Sequence, residues 1–353
     1  MRAAEKHFGN PSAPHEEGRR SRNRIDGART RIARILSVKA DELIFTGSGT
    51  ESNNLALAWV PAGSHIISSA FEHSSVAEPL KALAARGVAV SYVRPTAEGI
   101  ITSEAVKQLI RPETVLVSVC AVQSEIGAIQ PVKDISRTVK KINPHIIMHA
   151  DACQGSLFLD LSPHALGVDI ATYDAQKIMG PKGVGLLWRE FSVPLAPVIR
   201  GGNQERGLRP ATENTVGIVG MAEAFALASE GRDARAKKVT FVRDYFIELL
   251  KKEIPQADLN GGVTHRIANN VNISVLGADG DYLAVLMDAR GVAVSPRSAC
   301  VASGKPSSAV EALGKDILHA HGTLRFTFGP SVIRADALRA LRALKDSLKV
   351  IGL

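Results

Sequence analysis

The chain has 353 residues, 45% hydrophobic and 22% charged, with a formal net charge of +8. That length can bury a large core and suits two domains, and the balance is that of an ordinary soluble protein. Its apolar runs are too short to span a bilayer, and its 3 cysteines, Cys120, Cys153 and Cys300, form no CxxC or Cys/His cluster, which argues against a disulfide framework and a zinc site.

The opening stretch, MRAAEKHFGNPSAPHEEGRR, holds no apolar run, so no secretory signal is expected. A reducing cytoplasm, where a free thiol survives, is the expected compartment. Much of the positive charge sits in RRSRNRIDGARTRIAR, where Ile25, Ile32, Ile35 and Leu36 share one side of a helical wheel and arginines fill the other. That arginine face reads as solvated, or as a dock for an acidic partner. No aromatic side chains are interleaved with it, which argues against direct nucleic-acid binding.

The predicted elements then alternate. DELIFTG reads as a strand and TESNNLALAW as a helix; SHIISSA is a strand, SSVAEPLKALAARG a helix and VAVSYVRP a strand. ETVLVSVCAV, HIIMHADA, VDIATYDAQ and GVGLLWR are further strands, with the helix VKDISRTVKKIN after the first of them. Near-continuous apolar strands between helices predict an α/β fold with a mainly parallel sheet covered on both faces, whose ligands gather at the carboxyl ends of the strands. After RGGNQERGLRPATENT the pattern changes. Residues 216–255 read as helical, followed by NNVNISVLG, DYLAVLMDAR, VAVS, the Cys300 loop and TLRFTFG, a run of short strands between helices, and a last helix over 332–349. This predicts a larger domain over 1–230 and a smaller α+β domain over 231–353.

Several motifs fall at predicted strand ends. In TGSGTES, Gly47 and Gly49 let the backbone approach an anion at a helix start, and Thr50 adds a hydroxyl. A dinucleotide fingerprint with Glu72 as the ribose acid is the rival reading, weakened because Ser52 stands where the third glycine belongs. HADACQ places Asp151 and Gln154 beyond a strand, as turn formers or as partners of a heterocycle. Lys177, in DAQKIMGPKG, lies between two apolar strands and is a candidate for Schiff-base chemistry. His73 follows a strand in FEHSS, and Arg325 interrupts the apolar TLRFTFG, where a carboxylate would suit it. Cys300 sits in SPRSACVASGKPSS, a run of small residues that offers nothing to bury a thiol. A phosphate cradle, an acid, an amine, an imidazole and a carboxylate-binding arginine together match what pyridoxal phosphate and an amino acid require.

The motifs TGSGTESNNLA, FEHSSV, EIGAIQP, HADACQ, QKIMGPKGVG, GGNQERGLRPAT, SACVAS and LRFTFG stand in the order seen in cysteine desulfurases, fold-type I pyridoxal-phosphate enzymes of the class V aminotransferase group. The resemblance runs from about Phe8 onward. It implies a seven-stranded-type sheet in the large domain and a small domain carrying a mobile cysteine loop. By this resemblance Lys177 would hold the cofactor, Gly49 and Thr50 its phosphate, and Thr212 would reach in from a second subunit of a homodimer. Asp151 would face the ring nitrogen, Gln154 the ring oxygen, and His73 would stack on the ring. Arg325 would grip the carboxylate of L-cysteine, and Cys300 would receive its sulfur as a persulfide. Passage to an iron–sulfur scaffold or a tRNA-thiolation acceptor is implied, with Cys300 as a possible transient cluster ligand.

The sequence departs from the family pattern in four places. Relatives would begin with a further segment holding an opening strand and a Thr-rich loop. The usual Ser-Gly-His before the lysine is Asp174-Ala175-Gln176, putting Asp174 and Gln176 at phosphate-contacting positions. Ser124 replaces an asparagine expected to contact cofactor and substrate, and Pro210 stands where the usual motif has an N–H to give. These departures leave a selenocysteine lyase, another class V enzyme or a non-catalytic sulfur-transfer scaffold as alternatives.

Overall fold

The structure is a computed structural model that describes residues 8–297 and 304–353; Cys300 lies outside the described residues. The first helix, α1 (Glu16–Leu36), buries Ile25, Ile32 and Leu36 as its wheel requires. Its arginines are not simply solvated. Arg22 pairs with Glu213 at 2.6 Å, Arg29 with Glu205, and Arg31 with Glu223, all within the same chain.

Seven strands form the main sheet: β1 (Leu43–Thr46), β2 (His65–Ser69), β3 (Ala89–Val93), β4 (Thr114–Cys120), β5 (Ile147–Asp151), β6 (Ile170–Asp174) and β7 (Gly185–Arg189). Their order is β1-β7-β6-β5-β4-β2-β3. The ladders from β3 across to β6 are all parallel, while β7 pairs antiparallel with both β6 and β1. Among the described strands of this sheet, β7 therefore runs against the other six. The connecting helices are α2 (Gly49–Leu57), α3 (Ser74–Ala85), α4 (Ser103–Lys107), α5 (Val132–Ile142) and α6 (Pro163–Leu166). Val117, Val119, Met148, Ala150 and Ala171 fill the core between sheet and helices. Strands this apolar on both faces are what a covered parallel sheet demands.

The long helical stretch is two helices, α7 (Thr215–Ser229) and α8 (Arg232–Glu253), broken where Gly231 adopts φ 61°. The first packs with α1 in the large core; the second packs in another core around Phe246. That core backs a second, antiparallel sheet of β8 (Ala257–Leu259), β9 (Asn270–Val275) and β10 (Thr323–Thr327), in the order β10-β9-β8. The rest of this region is α9 (Gly280–Asp288), α10 (Ser308–Ala312), α11 (Ile317–His321) and α12 (Arg334–Val350).

DYLAVLMDAR supplies one of the helices between the short strands. VAVS makes no strand: Ser295 forms a single bridge to Arg325. Pro296 follows immediately and has no N–H to continue a ladder. The later residues also do not stay with the second core, since Ala309, Val310, Leu313 and Ala320 pack into the first.

Candidate functional site

The carboxyl ends of the parallel strands meet at one pocket. It is lined by Gly49 and Thr50 after β1, Phe71, His73 and Ser75 after β2, and Cys120, Val122 and Ser124 at and after the end of β4. Asp151, Cys153 and Gln154 come from the end of β5, Asp174, Gln176 and Lys177 from the end of β6, and Arg325 from β10 of the second sheet. Sequence positions up to 276 residues apart, Gly49 and Arg325, thus line one cavity.

Local chemistry fixes the pieces. Ser48 caps α2, its hydroxyl accepting from Glu51 N–H at 3.2 Å. Gly49 is required by close approach: a Cβ there would lie 2.5 Å from Cys153 Sγ and 3.2 Å from Asp174 Cβ. The Asp151 carboxylate, 7% exposed, accepts from Asn53 Nδ2 at 2.8 Å and from Cys153 N–H at 3.0 Å. Asn53 is itself held by Thr172, whose hydroxyl donates to Asn53 Oδ1 at 2.6 Å. Asp151 is thereby oriented from two sides, with no ion pair among the described residues.

His73 caps α3, its Nδ1 accepting from Ser75 N–H at 3.1 Å, which leaves the ring proton on Nε2. Burial, with Lys177 and Arg325 nearby, holds its pKa below the usual histidine value against the opposing pull of Asp151. Lys177 stands on the 3-10 turn Ala175–Ile178 and is exposed on the pocket wall rather than tucked between strands. Arg325 donates from Nη1 to the Ser124 carbonyl at 2.9 Å. Its Nε is buried and without a hydrogen-bond partner among the described residues.

Burial and the neighbouring carboxylates push the Cys120 and Cys153 thiols well above their ordinary pKa. Both stay protonated and are poor nucleophiles. Asp174 does not turn away from the head of α2: its Oδ2 accepts from Gly49 N–H at 3.0 Å. Thr212 is exposed and, among the described residues, does not line this chain's pocket. Asn53 and Ser75 were missed by the sequence reading. Asn53 lies one turn after Gly49 on α2, a polar residue on an otherwise buried face, and that spacing is the signal that marks it.

A family model described as Aminotransferase class-V matches residues 2–339. The chain is 38% identical to the cysteine desulfurase IscS of Dictyoglomus turgidum, over 98% of this chain and 89% of that one. Among solved structures, a NifS-like protein superposes with a TM-score of 0.91 at 31% identity, covering 99% of this chain and 93% of that one. SspA in complex with cysteine superposes at 0.78 with 30% identity, covering 94% of each.

The chain belongs to the cysteine desulfurase family of class V aminotransferases.

Pyridoxal 5′-phosphate is the cofactor of cysteine desulfurases, and the pocket fits it. Lys177 offers an amine, and Asp151 a buried carboxylate held by neutral donors. The crowded glycine at the head of α2 brings backbone N–H close to an anion. At the amino-acid end, the unpartnered Arg325 Nε faces the need of a carboxylate. The phosphate end differs, because the Asp174 carboxylate already takes the Gly49 N–H.

Proposed function

We propose that this chain removes sulfur from L-cysteine, releases L-alanine and carries the sulfur as a persulfide on Cys300. The observation that carries the reading is the meeting of Lys177, Asp151 and Arg325 in one pocket, with Arg325 Nε buried and unpartnered. Bound pyridoxal phosphate supplies an electron sink for the substrate α-carbon. Asp151 would face the ring nitrogen, His73 the ring face and Gln154 the ring oxygen, with Ser124 and Gln176 at the sides. Lys177 would hold the cofactor and serve as the base for the substrate α-proton. Arg325 holds the substrate carboxylate with the donor that lacks a partner.

The sulfur step balances without an outside oxidant. The Cys300 thiol gives up its proton and attacks the substrate sulfur; the C–S bond breaks, an S–S bond forms, and the carbon takes a proton. The nucleophile is Cys300 because the other two thiols are kept protonated by burial. Its segment leaves from the pocket edge: Arg325 N–H donates to Ser295 C=O at 2.6 Å, and Arg325 lines the pocket. Asp281 holds both residues flanking the undescribed stretch, accepting from Arg297 at 2.7 Å and from Gly304 N–H at 2.8 Å.

We assign residues 1–230 to the cofactor-binding unit and 231–353 to the unit that carries Cys300. A homodimer, in which Thr212 serves the neighbour's phosphate, accords with its exposure here and with the exposed apolar Met179, Val198 and Ile199. The sulfur goes on to an iron–sulfur scaffold protein or a tRNA-thiolation acceptor in a reducing cytoplasm. Mass spectrometry of the chain after incubation with L-cysteine and no reductant tests the proposal. One added sulfur atom on the Cys300 peptide is expected; sulfur on Cys120 or Cys153, or on none, overturns it.

A further inference from the structure

Where a phosphate is expected, this chain has already placed an anion of its own. Asp174 ends β6 and is 7% exposed. Its Oδ2 accepts from Gly49 N–H, the first N–H of α2, at 3.0 Å and from Gln176 Nε2 at 3.2 Å. Its Oδ1 accepts from Gln176 N–H at 3.1 Å. Each of these donors is uncharged, so nothing in the set offsets a second negative group. The positive end of α2 has attracted a carboxylate, as helix starts do.

Gly49 leaves no slack for both anions. A Cβ there would lie 2.5 Å from Cys153 Sγ and 3.3 Å from Asp174 Oδ2, so the cradle is already closely walled. A phosphate that takes the Gly49 N–H must displace the carboxylate, and it then stands beside a like charge in a water-poor pocket. Serine, which the family resemblance expects at this position, would offer a hydroxyl donor in place of that repulsion.

We propose that Asp174 is a specificity-determining residue for the cofactor: its carboxylate competes with the phosphate at the head of α2 and narrows the advantage of pyridoxal phosphate over unphosphorylated pyridoxal. The inference rests on the reading that Gly49 and Thr50 take the phosphate. Gln176 assists by donating twice to Asp174 and holding it in the cradle.

The test is an equilibrium titration of the full chain, stripped of cofactor, with pyridoxal phosphate and in parallel with pyridoxal. The readout is the absorbance of the Lys177-bound chromophore. Asp174→Asn and Asp174→Ser are each expected to tighten pyridoxal phosphate by about tenfold or more and to leave pyridoxal unchanged, a ratio that a merely structural role would not move. Inorganic phosphate, competing against pyridoxal phosphate held at the same multiple of each chain's own dissociation constant, is expected to displace it from both variants at lower concentration than from the unsubstituted chain. Unchanged or weaker affinity for pyridoxal phosphate in a variant that melts like the unsubstituted protein overturns the proposal, as does equal tightening of both ligands. Should one variant fail to fold, the other and the phosphate competition decide. A chromophore that persists in Lys177→Ala overturns the cofactor reading and this inference together; one that needs Lys177 but ignores Asp174 overturns the inference alone.

Discussion

A single side chain, Glu72 in the loop after β2, shows how environment decides chemistry. Burial pushes the Glu72 carboxyl up to about 8, with Asp151 adding to the effect and hydrogen bonds from Ser69 and Cys120 N–H opposing it. Its Oε2 is buried and unpartnered among the described residues. A carboxyl whose folded pKa is raised stabilises most below the ordinary value of 4.5, and that contribution is lost as pH rises toward and through about 8. Relative to Glu72→Gln, the unsubstituted chain should lose stability on the order of a few kcal/mol across that window. Thermal melts from pH 5 to 8.5 check this, and a difference that does not vary with pH contradicts it. Arg325 makes a different prediction. Arg325→Ala should raise the KM for L-cysteine by roughly 10- to 100-fold, the worth of a lost charged hydrogen bond, while the cofactor chromophore stays. Saturation at the same cysteine concentration would remove Arg325 from the substrate site. Both residues were visible in the sequence, but only Arg325 was assigned a role as a polar residue in an apolar strand. Glu72 figured only as the ribose acid of a rival, weakened reading, because sequence gives no burial. The bond from Gly49 to Asp174 was equally hidden, joining residues 125 apart in the chain.

At the scale of elements, α1 is held by apolar burial and by ions. Arg29 and Glu205 have side chains only 11% and 1% exposed, and Glu205 also accepts from Phe45 N–H at 3.0 Å. This ties the helix to β1 and to a strained loop in which Glu205, Arg206 and Ala211 all adopt positive φ. Arg29→Met leaves a buried carboxylate without its cation and should cost about 3 kcal/mol in urea unfolding. Adding Glu205→Gln should restore most of the loss; a double variant no more stable than the single would show that charge pairing is not what matters. The apolar side of α1 was legible from Ile25 and Ile32, because a period of 3.6 is a local property. Its ion pairs were not, since Glu205, Glu213 and Glu223 come from almost 200 residues away in sequence. The apolar strands were legible for the same local reason. The reversal of β7 was not, because direction depends on how the chain returns and not on the strand's own residues. VAVS pairs only through Ser295, and Pro296 directly after it has no N–H to carry the ladder on.

For the molecule as a whole, the sheet gathers strand ends and the second sheet contributes Arg325, so the pocket exists only when both cores are formed. All the candidate residues from Gly49 to Lys177, and Arg325, meet there; Thr212 faces outward, and Cys300 lies outside the described residues. If Thr212 completes a neighbour's site, sedimentation should give twice the mass of one chain, and Thr212→Ala should weaken cofactor binding without changing that mass. A monomer that binds cofactor as well as the assembly would contradict this arrangement. The most direct measurement for the central claim is sulfide and alanine quantified together from L-cysteine in the presence of a reducing thiol. The account predicts equal amounts of both, loss of both in Lys177→Ala, and loss of sulfide with the chromophore retained in Cys300→Ala. Sulfide that continues unchanged without Cys300, or alanine formed with no sulfide, would contradict it.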